Sequence, residues 1–281
     1  MIRRGQFVII IGSAKCGTTS LFDYLSQHPQ ICRSSWRKEP EYFSEHQYVS
    51  PAIRKRIRRY EDFWPDFDPQ VHRYALEGST GYTKWPQESG VAERMRVYGI
   101  QPRLIYVVRD PIERIESEVN YRQIRSRKPV SFDSESLIDI SRYAVQLDPF
   151  VEAFGRNAIR VIDFARLRND VNGVCADLYK WLGLEEHIIQ QPKISNQTAS
   201  LQTSRLYRFE SLRRAVWFIP QDIREQVKAI ATKVAPYKHE RVRLTPQHVQ
   251  SIRESLKEDA NRLSREWGVD VDSWGFGAIS K

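Results

Sequence analysis

The 281-residue sequence predicts an α/β fold of three layers, with a mainly parallel central sheet flanked by helices. Three observations carry this expectation. Phe7 to Ile11 (FVIII) and Leu104 to Val108 (LIYVV) are apolar runs without a polar break, the composition of strands buried on both faces. Each run gives way at once to a turn and then to apolar residues at helical spacing. Strand and helix patterns then alternate as far as about residue 185, with no repeat, low-complexity segment or clear linker. The length suits one domain over 1–281, with a core of about 5–185 and a helical part of about 205–281.

Gly12 closes the first strand, Ser13 to Gly17 make a small-residue turn, and Thr18, Thr19 and Ser20 enter a helix with Leu21, Phe22 and Leu25 on its apolar side. The first-turn N–H groups of such a helix lack intrahelical partners, and its dipole favours negative charge there. Gly12 and Gly17 are spaced as in the phosphate-binding G-x-x-x-x-G-K-[ST] loop, so the turn is P-loop-like. Thr18 stands where that loop has its lysine, and the lysine lies inside the turn at Lys15. Taken alone, the stretch also fits an ordinary β-turn-α connection with a surface lysine.

Gln27 to Gln30 stop the first helix, and Ile31 and Cys32 suit a short strand. In Trp36 to Phe43, Pro40 disfavours a helical Glu39 and makes a loop. A carboxylate on a proline-stiffened loop among aromatics is placed for partial desolvation, which suits a general base. A surface glutamate paired with Lys38 is the plainer alternative. His46 is the reserve base, since histidine titrates near neutral pH. Arg54 to Arg59 carry five positive charges in six residues, followed by Tyr60, Phe63, Trp64 and Phe67. That run suits either an anionic acceptor or the solvated face of a helix, and no nucleic-acid motif accompanies it. Tyr74 to Leu76 form a third strand ending at Glu77-Gly78, and a helix is expected over about Gln87 to Tyr98.

The strand at Leu104 ends on Arg109-Asp110-Pro111. Pro111 suits the first turn of a helix running to about Ile124, and Arg109 lies at the carboxyl end of a parallel strand, where ligands bind in open sheets. Ser117 follows about two turns on, so the pair is placed to grip a second anionic group. Further along, Glu135 to Phe154 read as one helix with a break at Pro149, and Arg160 to Phe164 as a strand. Asn169 to Leu182 read as a helix capped by Gly183. Residues 190–203 are polar and loop-like. Two helices close the chain, one over about Pro220 to Val234 and one after Thr245-Pro246, with Trp267 and Trp274 expected against the core.

A net charge of +9 favours anionic partners without choosing among them. Cys16, Cys32 and Cys175 have neither metal-site nor disulfide-framework spacing, so they are expected as reduced thiols in a cytoplasmic protein. Cys16, inside the loop, is a candidate reactive thiol, although a small packing residue is the stronger reading. No apolar run is long enough for a membrane span or a signal-peptide core.

Three stretches, KCGTTSL (Lys15 to Leu21), KEPEYF (Lys38 to Phe43) and RDPIERIES (Arg109 to Ser117), together resemble the sulfotransferases that use 3′-phosphoadenosine 5′-phosphosulfate (PAPS), closest to the heparan-sulfate-type and bacterial branches. The resemblance implies transfer of a sulfuryl group from PAPS to a hydroxyl or amine acceptor by in-line displacement, releasing adenosine 3′,5′-bisphosphate (PAP), with no metal. It implies that Lys15, Cys16, Gly17, Thr18, Thr19 and Ser20 hold the 5′-phosphosulfate, with Lys15 neutralising the leaving oxygen. Arg109 and Ser117 would hold the 3′-phosphate, and Glu39 would be the catalytic base. Many heparan-sulfate-type enzymes have a second lysine directly after a glutamate, where this chain has Gly78; the second cation is therefore unassigned, with Lys84 a substitute. A late loop that closes over the nucleotide would involve Lys193, Asn196 or Arg205. Heparan-sulfate enzymes usually carry a membrane anchor, so the chain is expected to be a soluble, bacterial-style relative. Two rivals stand beside this reading: a P-loop kinase or NTPase, which needs a lysine after Gly17 and a magnesium aspartate, and a non-enzymatic polyanion binder using 54–59.

Overall fold

In the computed structural model, which describes residues 1–35, 38–45, 57–126, 135–190, 203–204, 236–237 and 241–277, the main sheet is fully parallel. In chain order the elements are β1 (Phe7–Gly12), α1 (Thr18–Leu25), β2 (Ile31–Arg33), β3 (Tyr74–Glu77), α2 (Val91–Tyr98) and β4 (Arg103–Val108). There follow α3 (Pro111–Ser126), α4 (Glu135–Asp139), α5 (Tyr143–Phe154), β5 (Ile159–Asp163), α6 (Phe164–Asn169) and α7 (Val171–Leu182). A two-residue antiparallel pair, β6 (Thr203–Ser204) with β7 (Pro236–Tyr237), and the long α8 (Pro246–Trp267) complete it.

The strand order is β2-β3-β1-β4-β5. β1 lies in the middle, pairing Val8 with Leu76 on one side and Ile9 with Leu104 on the other. The chain leaves β1 towards β2 and β3, then crosses over to β4, so the crevice at the carboxyl ends of β1 and β4 is a topological switch point.

The continuous apolar runs are explained by cover on both faces. Phe7, Ile9 and Ile11 of β1 join Leu104, Tyr106 and Val108 of β4 in one cluster, with residues of α2, α5 and α8. Val8, Ile10, Ile105 and Val107 point the other way, into a cluster with α1 and α7. Each such side chain, taken out of water, contributes roughly 1.5–3 kcal/mol.

Three boundaries differ from the sequence reading. The helix expected from Gln87 begins at Val91, because Gly90 adopts a left-handed conformation (φ 70°) and starts it there. The helix expected over Glu135 to Phe154 is two helices, and the break falls at 140–142 rather than at Pro149, which sits inside α5. The cause is long-range: the fully buried Arg114 donates to the Leu137 carbonyl (2.5 Å) and to Ser141 Oγ (2.8 Å), while Asp259 of α8 accepts from the Ala144 and Val145 N–H groups that open α5. Finally, Phe164 begins α6 instead of ending β5, since the Asp163 carboxylate caps Ala165 at 2.8 Å.

Gly183 (φ 67°) and the Thr245 cap fall where expected, and Trp274 and Phe276 pack in the core with Trp267 at its edge. Ahead of α8, Val242 exchanges two hydrogen bonds with the Asn120 amide, and Leu244 donates to Glu116, which clips the segment along α3. His46, Lys193, Asn196, Arg205, residues 54–56 and the helix expected over 220–234 lie outside the described residues. Arg58 and Arg59 are described, and their N–H groups donate to Asp62 ahead of a 3-10 turn at Tyr60–Phe63. Among the described residues, no helix is long and apolar enough to cross a membrane.

Candidate active site

The turn after β1 is held from below. Ser13 N–H donates to the Val107 carbonyl of β4 (2.8 Å), and Cys16 N–H donates back to Ser13 (3.2 Å). Gly12 has no room for a side chain: a Cβ there would stand 2.1 Å from Thr83 Oγ1 and 2.7 Å from the Tyr106 ring. Lys15 (φ 70°) and Gly17 (φ 79°) both take the left-handed conformation that wraps the chain round into α1. Gly17 is the N-cap and has no side chain to cap the first turn of α1, whose N–H groups and dipole favour an anion there.

Cys16 is brought into this turn but faced inward. Its thiol is fully buried near Tyr143, and burial pushes its pKa up to about 11. Burial of this kind disfavours the thiolate that reaction would need and supports the packing role.

Arg109 emerges at the end of β4, over the Phe164 ring (4.8 Å), with its side chain 16% exposed. Nη1 donates to the Lys15 carbonyl at 3.2 Å, which ties the two predicted anion-binding elements together. Nε and Nη2 donate to Glu113 at 3.0 and 2.8 Å. The Lys15 ammonium lies 3.8 Å from the centre of the Tyr121 ring on α3. Burial lowers the Lys15 pKa; Glu118 opposes that and Arg109 adds to it. Ser117 is buried on the same helix as Tyr121. Phe164, whose ring lies under Arg109 and beside Gly17, is a neighbour of this turn that the motifs did not reveal. Its signal was positional, at the carboxyl end of the next parallel strand.

Glu39 sits on the facing loop, 30% exposed, paired with Lys38 at 3.1 Å and accepting from Thr80 Oγ1 at 3.3 Å. Of the aromatics expected to shield it, Tyr42 and Phe43 turn instead into a ring cluster with Tyr60, Phe63 and Tyr98, and Trp36 lies outside the described residues. The Lys38 ammonium reaches the start of α1, donating to Thr18 Oγ1 (3.2 Å) and Thr19 Oγ1 (3.3 Å).

Beneath Glu39 lies a buried carboxylate that sequence reasoning passed over. Tyr60 (2.6 Å) and Tyr82 (3.1 Å) donate to Glu77 Oε1, and Ser79 Oγ donates to Oε2 at 2.8 Å. Burial raises the Glu77 pKa from 4.5 to about 7, against the pull of the three hydroxyls. The folded protein thus holds this proton more tightly than the unfolded chain. The stabilisation is present below about pH 4.5 and is lost as pH rises through about 7. Glu77→Gln is expected to flatten that part of the stability–pH curve, as read by urea unfolding at pH 5, 6 and 7.5; equal slopes in variant and wild type would count against it.

The model of the sulfotransferase family matches residues 7–187. The chain belongs to the sulfotransferase family. It is 29% identical over 209 residues to mouse heparan sulfate glucosamine 3-O-sulfotransferase 3A1, across 68% of this chain and 49% of that protein. It is 26% identical to a bifunctional heparan sulfate N-deacetylase/N-sulfotransferase 1 of Caenorhabditis briggsae, across 64% of this chain and 23% of that one. The chain therefore spans half or less of the length of these curated relatives. Among solved structures, a sulfotransferase from Alicyclobacillus acidocaldarius superposes with a TM-score of 0.67 at 22% identity, covering 98% of this chain and all of that one. That likeness shows the fold: the P-loop-like α/β architecture of sulfotransferases.

Proposed function

We propose that this family member transfers the sulfuryl group of PAPS to a hydroxyl or amine of an acceptor and releases PAP. The observation that carries the reading is the Arg109–Lys15 carbonyl contact of 3.2 Å, which holds two cationic elements together at the switch point. Lys15, the N–H groups of Gly17, Thr18 and Thr19, and the hydroxyls of Thr18, Thr19 and Ser20 would hold the 5′ end. Arg109 and Ser117 would hold the 3′-phosphate. As the acceptor oxygen or nitrogen bonds to sulfur, the bridging oxygen leaves with the 5′-phosphate, and Glu39 takes the acceptor's proton. Charge grows on the leaving oxygen, where Lys15 and the helix N-terminus favour it most.

The net charge of +9 and the heparan sulfate in the relatives' names support an anionic sugar polymer as the first acceptor class to screen. The kinase alternative loses support at Asp110, whose carboxylate accepts from Ile112 N–H at 2.8 Å and so serves as a cap for α3. Calorimetric titration is the test. PAP is expected to bind saturably without magnesium, and ATP with magnesium is not. Magnesium-dependent ATP binding with no PAP binding would replace this reading with the kinase.

A further inference from the structure

Position 78 carries no side chain, yet the space beside it is filled. A Cβ built on Gly78 would stand 3.0 Å from Lys38 Cε and 3.6 Å from both Ile10 and Phe22. Gly78 N–H also donates to the Lys38 carbonyl at 2.9 Å, so the two segments run side by side. The Lys38 stem occupies the volume that a side chain at 78 would enter, and its ammonium reaches the hydroxyls of the first two residues of α1.

We propose that Lys38 is the second cation of the 5′-phosphosulfate site, filling from the neighbouring loop the role left unassigned at Gly78. The inference rests on the sulfotransferase reading above. An ammonium fixed to Thr18 and Thr19 lies at the N-terminus of α1, where an anion would be seated, and its three donors let it exchange one hydroxyl for a phosphate oxygen. Its side chain is 16% exposed, so water and salt screen it little. Its pull strengthens as the leaving oxygen gains charge, which favours the transition state over the bound donor. Lys38 also pairs with Glu39 at 3.1 Å, so one side chain links the proposed base to the leaving-group side.

The test is titration of wild type, Lys38→Met and Lys38→Ala/Gly78→Lys with PAP and with adenosine 3′-phosphate, which lacks the 5′ group. Methionine keeps the stem and removes the charge. The φ of Gly78 lies outside the left-handed region, and in the double variant alanine removes Lys38 Cε and opens the space for a lysine there. Lys38→Met is expected to weaken PAP binding about 10- to 100-fold, the worth of a charged hydrogen bond, and to leave adenosine 3′-phosphate within about twofold. The double variant is expected to recover most of the loss. Lys38→Gln is the second single variant should the first fail to fold, with the same expectation. Unchanged PAP affinity, equal loss for both ligands, or loss without recovery would each overturn the proposal while PAP binding by wild type upholds the sulfotransferase reading. Wild type that binds no PAP would bring down both.

Discussion

Arg109→Ala is expected to weaken PAP binding about 100- to 1,000-fold, or roughly 3–4 kcal/mol. Two features make the effect large. The guanidinium can meet a phosphate with two parallel charged hydrogen bonds, and its side chain is only 16% exposed, backed by the Phe164 ring. It also donates to the Lys15 carbonyl, so its removal loosens the turn that carries the other half of the site. The competing partner is weak by comparison. Glu113 is 51% exposed and sits in the first turn of α3, four residues on from Arg109, an exposed pair worth about 0.2–1 kcal/mol, so a phosphate displaces it readily. Arg109→Lys is expected to recover little, since a point charge cannot reproduce the paired donors. Calorimetry with PAP reads both variants, and Arg109→Ala binding within threefold of wild type would remove Arg109 from the site.

The parts of this architecture written locally were legible in the sequence. β1 and β4 announce themselves as unbroken apolar runs because both sheet faces are covered, and Gly12 to Gly17 mark the turn through spacing alone. What stayed hidden depends on residues far apart in the chain. Arg114 and Asp259 divide one apparent helix into two by taking a carbonyl and two N–H groups that a continuous helix would have paired internally. Pro149 looked like the breaker, but a helix held by packing along Ala144, Leu147 and Phe150 tolerates the missing N–H. Lys38 read as the partner of Glu39, and that pair exists. Its reach to Thr18 and Thr19 needed the fold, because only the parallel pairing of β1 and β3 brings the Gly78 end of β3 beside the loop. Glu77 could not be recognised at all: its three hydroxyl partners converge from Tyr60, Ser79 and Tyr82.

Gly17→Ala should show how closely that loop is fitted. Its φ of 79° lies in the left-handed region, where any side chain costs about 1–2 kcal/mol. The added Cβ would also stand 2.6 Å from the Phe164 ring, and that ring is pinned by Arg109 on its face. Overpacking of this kind costs about 1–3 kcal/mol more, so a total near 2–5 kcal/mol and a fall in Tm of roughly 5–15 °C are expected. Gly183→Ala separates the two contributions. Gly183 has a similar φ of 67° but no atom of a described residue within 4 Å of the built Cβ, so it should show the backbone cost alone. PAP binding should fall at least tenfold in Gly17→Ala, because shifting the turn misplaces both the first-turn N–H groups and the Lys15 carbonyl that Arg109 holds. Gly183→Ala should bind as wild type. Equal losses of stability in the two variants would mean that Phe164 does not crowd the loop, and the link from β5 to the anion site would fail with it.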